Sequence, residues 1–132
     1  MASNLLNLDC NSDYSDSEKM DSETIATHLA QISGWKLVSS NNESRIVRTF
    51  SCQNFKKAIE LASKIGAEAD RQDHHPSIVV EWGKCTVTWW THALGGLHLN
   101  DFIMAKKSEK YDSGRTKLFS SDFQIVFFRV LD

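Results

Sequence analysis

The stretch DRQDHHPSIVVEWGKCTVTWWTH, residues 70–92, decides how this chain folds. Its proline, Pro76, biases His75 away from helical geometry, so Asp70 to His75 reads as a loop that ends a helix and enters a sheet. Ile78 to Trp82 is β-branched and apolar and predicts a strand. Gly83-Lys84 fits a two-residue turn, and Cys85 to Thr91 predicts the returning partner. In that partner Val87 and Trp89 share one face, and Thr88 and Trp90 share the other. The result is an antiparallel hairpin with a His-His loop at its entrance and His92 at its exit.

The same grammar extends outwards. Upstream, Phe55, Ala58, Ile59, Ala62, Ile65 and Ala69 recur at helical spacing, with Ser51 as the expected cap. Before that helix, Trp35–Val38 and Arg45–Phe50 predict a second hairpin around a polar turn, Ser39–Ser44. A first helix starts near Asp21-Ser22-Glu23-Thr24, carries Ile25, Leu29 and Ile32, and stops at Ser33-Gly34. Downstream, Gly95-Gly96 breaks the chain, and a third helix is predicted from Leu99 to Lys110 with Phe102, Ile103, Met104 and Ala105. Helix, hairpin, helix, hairpin, helix gives an α+β fold, αββαββα, with a four-stranded antiparallel sheet and helices on one face. The domain is expected over residues 21–110. Residues 1–20 read as a polar, mostly disordered leader rich in Asn, Ser and Asp. Residues 111–132 read as a hydrophobic C-terminal extension, with an extra strand expected across 117–131.

Composition narrows the function. With 132 residues and a formal net charge of -2, the whole chain has no electrostatic mark of a nucleic-acid or membrane-surface binder. Lys56, Lys57, Lys64, Lys106, Lys107 and Lys110 read as solvated helix faces. Cys10, Cys52 and Cys85 are an odd number without metal-ligand spacing, which suits a reduced, cytoplasmic protein. No apolar run is long enough to span a bilayer, and no signal-peptide core is evident. A core of this size is thin, so self-association into a homodimer or homotetramer is expected.

Four of the five histidines fall between residues 74 and 98. His74, His75 and His92 meet at one sheet end if the strands pair as drawn, and imidazole is the side chain best suited to proton transfer near neutral pH. Blander readings compete. Adjacent histidines in a polar loop are commonly surface residues, and a strand-end His is commonly structural. A metal held by His74, His75, Asp70 and Asp73 is a third option, but adjacent residues rarely aim both rings at one ion. His28 and His98 are given no role.

The spacing Asp70-x-x-x-His74-His75-Pro76, then Trp82, His92 and Asp101, closely resembles the signature of the pterin-4a-carbinolamine dehydratases. Gly34-Trp35, Arg48-Thr49-Phe50, Thr91-His92, Gly95-Gly96-Leu97 and Asp101-Phe102 add to the resemblance, which covers about residues 21–107. It implies the same αββαββα fold and removal of water from 4a-hydroxytetrahydropterin to give quinonoid dihydropterin, recycling the cofactor of aromatic amino acid hydroxylases. It implies no metal and no organic cofactor. By resemblance, His74 and His92 form the acid-base pair, with His75 binding and orienting the pterin. Asp70, Trp82 and Asp101 join His75 as substrate-binding residues, with Asp101 alternatively a helix cap. His98 stands where relatives commonly carry Ser or Thr as a cap, which moves the expected start of the third helix to Asn100.

A different class of function also attaches to this fold: a dimerisation cofactor that binds homeodomain transcription factors through a helical surface. A third reading is a catalytically silent paralogue. Three converging imidazoles favour the enzyme.

Overall fold

The computed structural model describes residues 4–112. The order is helix α1 (Ser22–Leu29), strands β1 (Lys36–Ser40) and β2 (Glu43–Ser51), helix α2 (Phe55–Gln72), strands β3 (Ser77–Glu81) and β4 (Lys84–Trp89), and helix α3 (Leu99–Glu109). The strands form one antiparallel sheet, β1-β2-β4-β3, in which the two hairpins join through β2 and β4. This is the expected αββαββα arrangement. Alternation sets the faces: Cys85, Val87 and Trp89 are buried with Ile46 and Phe50, while Thr49 and Thr86 pair hydroxyls at 3.0 Å on the other side.

Turn chemistry corrects two boundaries. In the first hairpin Ser40 pairs with Glu43, leaving Asn41-Asn42 as a two-residue turn with φ of 54° and 64°. Asparagine tolerates that left-handed pair, so the strands run further into the polar segment than its composition suggests. In the second hairpin Glu81 pairs with Lys84, so the turn is Trp82-Gly83 rather than Gly83-Lys84. Gly83 supplies the positive φ of 78°, and Trp82 leaves the strand for solvent.

Helix α2 is capped by Asn54, whose Oδ1 accepts from Lys57 N–H at 2.8 Å. The expected cap, Ser51, is instead the last residue of β2. Its buried stripe is Ala58, Leu61, Ile65 and Ala69. Phe55 and Ile59, expected on that stripe, sit to one side and are exposed.

Helix α3 is buried on nearly all sides. The reason lies in the leader. Residues 4–20, expected to be mostly disordered, have a described path against the domain. Asn4 caps a short 3₁₀ turn, Leu5–Asn7, and Leu5 is buried in the core. Leu6 C=O accepts from Lys107 Nζ at 2.8 Å, Gln72 Oε1 from Cys10 N–H at 2.8 Å, and Asn100 Oδ1 from Asn11 N–H at 3.1 Å. Lys107, expected on a solvated face, is therefore 6 % exposed. Burial pushes the Cys10 thiol up to about 12, so it stays protonated. The strand expected across 117–131 lies outside the described residues.

Polar pairs close the base of the fold. Glu109 accepts from Trp35 Nε1 at 3.1 Å and from Ser33 N–H at 3.0 Å, and Arg48 bridges Ser33 C=O to Asp112. Glu68 accepts from Arg71 and from Tyr111 Oη. Burial alone would raise its carboxyl, but the hydrogen bonds from Arg71 and Tyr111 and the charge of Lys110 outweigh it and hold it at about 2. A folded value below the ordinary 4.5 means this stability is present above about pH 4.5 and lost as pH falls towards 2. Arg71 is mostly exposed, so the contribution is discounted to about 1 kcal/mol. Denaturant midpoints measured from pH 6 to pH 2 should fall less steeply for Glu68→Gln than for wild type.

Candidate active site

The end of α2 places the first histidine. Asp73 adopts the left-handed region at φ 54°, which an aspartate tolerates, and turns the chain off the helix. His74 N–H then reaches back to Ala69 C=O at 3.2 Å. Pro76 carries the chain into β3, whose first pair with β4 is Ser77 with Thr88. That register sets the His74-His75 loop beside the outgoing end of β4, where Thr91 and His92 follow.

His74 is the buried member, 8 % exposed. Its ring stacks on the Trp89 indole, with centroids 5.6 Å apart and planes within 13°. Its Nε2 lies 2.6 Å from Asp101 Oδ1, and Tyr14 Oη stands 3.4 Å from its Nδ1. The carboxylate of Asp101 is fully buried, and its second oxygen accepts from Thr91 Oγ1 at 2.8 Å and His98 N–H at 3.0 Å. A carboxylate oxygen accepts, so in this contact His74 Nε2 carries the proton that it donates. The lone pair of neutral His74 is then on Nδ1. This is the geometry in which a buried acid fixes an imidazole's tautomer and supports its positive charge.

Helix α3 holds that acid in place. It begins at Leu99, not Asn100, because His98 Nδ1 accepts from Asn100 N–H at 3.0 Å and so replaces the hydroxyl cap. Asp101 completes the capping box from the third helical position. Burial keeps the His98 imidazole below its ordinary range, with Asp101 opposing and His74 reinforcing, which suits a ring that caps through a lone pair.

The other expected residues are distributed around this pair. His75 is exposed, and its Nε2 lies 2.9 Å from Asp70 Oδ1, so Asp70 orients it. His92 begins a short 3₁₀ turn, His92–Leu94, and its ring lies 4.6 Å from that of Trp90. Arg45 covers Trp90 at 3.8 Å, on the side of the sheet away from the buried Ile46. The three histidines thus share one sheet end, but each engages its own partner and none hydrogen-bonds another. Two expected substrate-binding residues lie apart from the exposed part of the site. Asp101 is 0 % exposed, and its oxygens are taken by His74, Thr91 and His98 N–H. Trp82 is 65 % exposed at the far end of β3, roughly 16 Å along the strand from the histidine loop at about 3.3 Å per residue. Among the described residues, no three His, Cys, Asp or Glu side chains converge as metal ligands.

Tyr14, Thr91, Trp89 and Asn100 were not singled out by sequence as parts of this site. Thr91 had a faint signal in its place beside His92. Tyr14 had one too, as the only aromatic residue of an otherwise polar leader.

The structure is thus an antiparallel α+β domain with a buried carboxylate–imidazole pair at one sheet end. The chain belongs to the pterin 4 alpha carbinolamine dehydratase family, whose model matches residues 18–111. A protein of Chlorobaculum tepidum is 45 % identical over 91 residues, covering 69 % of this chain and 82 % of its own. One of Marinobacter nauticus is 38 % identical over 108 residues, covering 82 % and 97 %. Both carry the name "Putative pterin-4-alpha-carbinolamine dehydratase". Among solved structures, a transcriptional coactivator/pterin dehydratase from Brucella melitensis superposes with a TM-score of 0.66 at 23 % identity, over 72 % of this chain and 99 % of its own, which supports the fold.

Proposed function

We propose that this protein dehydrates 4a-hydroxytetrahydropterin to quinonoid dihydropterin, and that His74 and His92 carry the proton transfers. The observation that supports it most is the 2.6 Å contact between His74 and the buried Asp101, at the sheet end where His75 and His92 also lie. In the reaction a proton leaves a pterin ring nitrogen, its electron pair becomes the new C=N bond, and the C4a–O bond breaks. Hydroxide is a poor leaving group, so an acid must deliver a proton to that oxygen, and the product is water. One imidazole acting as base and another as acid meets both needs, each typically worth 10²–10⁴-fold. His74 works through Nδ1, since Nε2 is committed to Asp101. His75, aimed by Asp70, binds the pterin ring.

The product is a quinonoid dihydropterin that a separate two-electron reduction must return to tetrahydropterin before an aromatic amino acid hydroxylase can use it again, and we place the protein in that recycling sequence. Three free cysteines suit the cytoplasm, and among the described residues no helix is long and apolar enough to cross a membrane. The transcription-factor reading finds no supporting observation here. Phe55 and Ile59 on α2, and Val79 on β3, are exposed apolar side chains that fit a homodimer or homotetramer. Light scattering at micromolar concentration should report more than a monomer.

Dehydratase activity is tested by generating 4a-hydroxytetrahydropterin in situ and following quinonoid dihydropterin. The wild-type chain should accelerate its formation well above buffer, and a chelator should leave the rate unchanged. Loss of activity on chelation, restored by zinc, would favour a metal mechanism.

A further inference from the structure

We propose that Tyr14 is a positioning residue of this site, aiming the His74 ring through a long hydroxyl contact to Nδ1 that the pterin replaces when it binds; this rests on the dehydratase reading above. Tyr14 lies at residue 14, before the stretch matched by the family model, in the segment that sequence alone treats as a disordered leader. Five hydrogen bonds argue that the segment is instead a strap laid across the site. Asn100 holds it twice, accepting from Asn11 N–H and donating from Nδ2 to Asn11 C=O at 2.9 Å. Gln72, near the end of α2, holds Cys10 N–H and donates to Asp9. Lys107 holds Leu6 C=O. The strap is thus fastened to the two helices that place His74 and Asp101.

The hydroxyl itself is aimed. Asn100 Nδ2 donates to Tyr14 Oη at 2.9 Å, which occupies one oxygen lone pair and directs the hydroxyl hydrogen elsewhere. His74 Nδ1, at 3.4 Å, is an acceptor in reach, and Asp101 already fixes the proton on Nε2. The phenol ring packs edge-on against His98 at 5.0 Å, and His98 N–H holds Asp101. Tyr14, Asn100, His98, Asp101 and His74 therefore form one connected unit, in which the strap supplies a hydroxyl on the Nδ1 side.

The test is Tyr14→Phe in the full chain, which keeps the ring on His98 and removes only the hydroxyl. Two measurements follow. In the dehydratase assay, kcat should fall roughly 3- to 10-fold, a fraction of what one acid-base group supplies, with KM within about twofold. In ¹⁵N-histidine spectra, wild-type His74 should show a single Nε2–H tautomer with a hydrogen-bonded Nδ1. The variant should lose that Nδ1 signature while His28 is unmoved. His74 spectra identical in the two proteins would overturn the proposal, as would altered spectra with an unchanged kcat. Should wild type prove inactive as a dehydratase, that reading falls and the spectra alone decide whether Tyr14 positions His74.

Discussion

His74→Ala should lower kcat by roughly 10²-fold, the low end for one acid-base group, and His92→Ala should do the same. The double variant should lose less than the product of the two, because groups that act as a unit are not additive. His75→Ala should act mainly through KM, since that ring is solvent-exposed beside Asp70 and is assigned to binding. His28 serves as the control: its Nδ1 contacts Thr24 C=O on α1, away from this chemistry, and His28→Ala should keep near-wild-type rates. Steady-state kinetics on the five variants beside wild type, with circular dichroism confirming the fold, separates these outcomes. A two-decade loss is far outside what a surface substitution produces, so the assignment is exposed to a clear failure.

Asp101→Ala should be among the most damaging single changes to stability. It strips acceptors from His74 Nε2, Thr91 Oγ1 and His98 N–H at once, and all three lie around a fully buried position. Each stranded buried donor costs about 1–3 kcal/mol on its own, so a loss of about 3 kcal/mol or more is expected. Asp101→Asn distinguishes charge from shape. Its one amide oxygen can still accept from Thr91 and His98 N–H. Its NH₂ would then face His74 Nε2 and favour the tautomer with its proton on Nδ1. That variant should stay folded and still lose most of its activity, because the working lone pair is on the wrong nitrogen. Urea midpoints for both variants, beside their rates, check the two claims independently.

Most of the fold was legible because periodicity and punctuation agree. Pro76, Gly83 and the polar segment Ser39–Ser44 mark the breaks, and alternation along Cys85–Trp89 marks the faces. The errors were local. Trp82 is apolar and extends an apolar run, yet the register with Lys84 makes it a turn residue. Phe55 and Ile59 match helical spacing as well as the true stripe does, and only packing tells the two apart. Lys107 looked like a solvated lysine because nothing in its own helix shows that Leu6 covers it.

The site was legible in its residue types and less so in its connections. The histidines and Asp101 stand at spacings that mark them, but which carboxylate meets which ring depends on three elements converging. Asp101 reads equally as a helix cap, and it is one; the second oxygen leaves the first free for His74. The leader's contribution was invisible because its contacts are backbone and amide hydrogen bonds across long sequence separations, and composition carries no trace of those.

We propose that this chain removes water from 4a-hydroxytetrahydropterin through His74 held by Asp101. The most direct measurement is the rate of quinonoid dihydropterin formation near neutral pH, with wild type and His74→Ala at equal concentration. Wild type should run well above buffer, and the variant should lose roughly 10²-fold. A wild-type rate no faster than buffer, or a folded His74→Ala protein as fast as wild type, would contradict it.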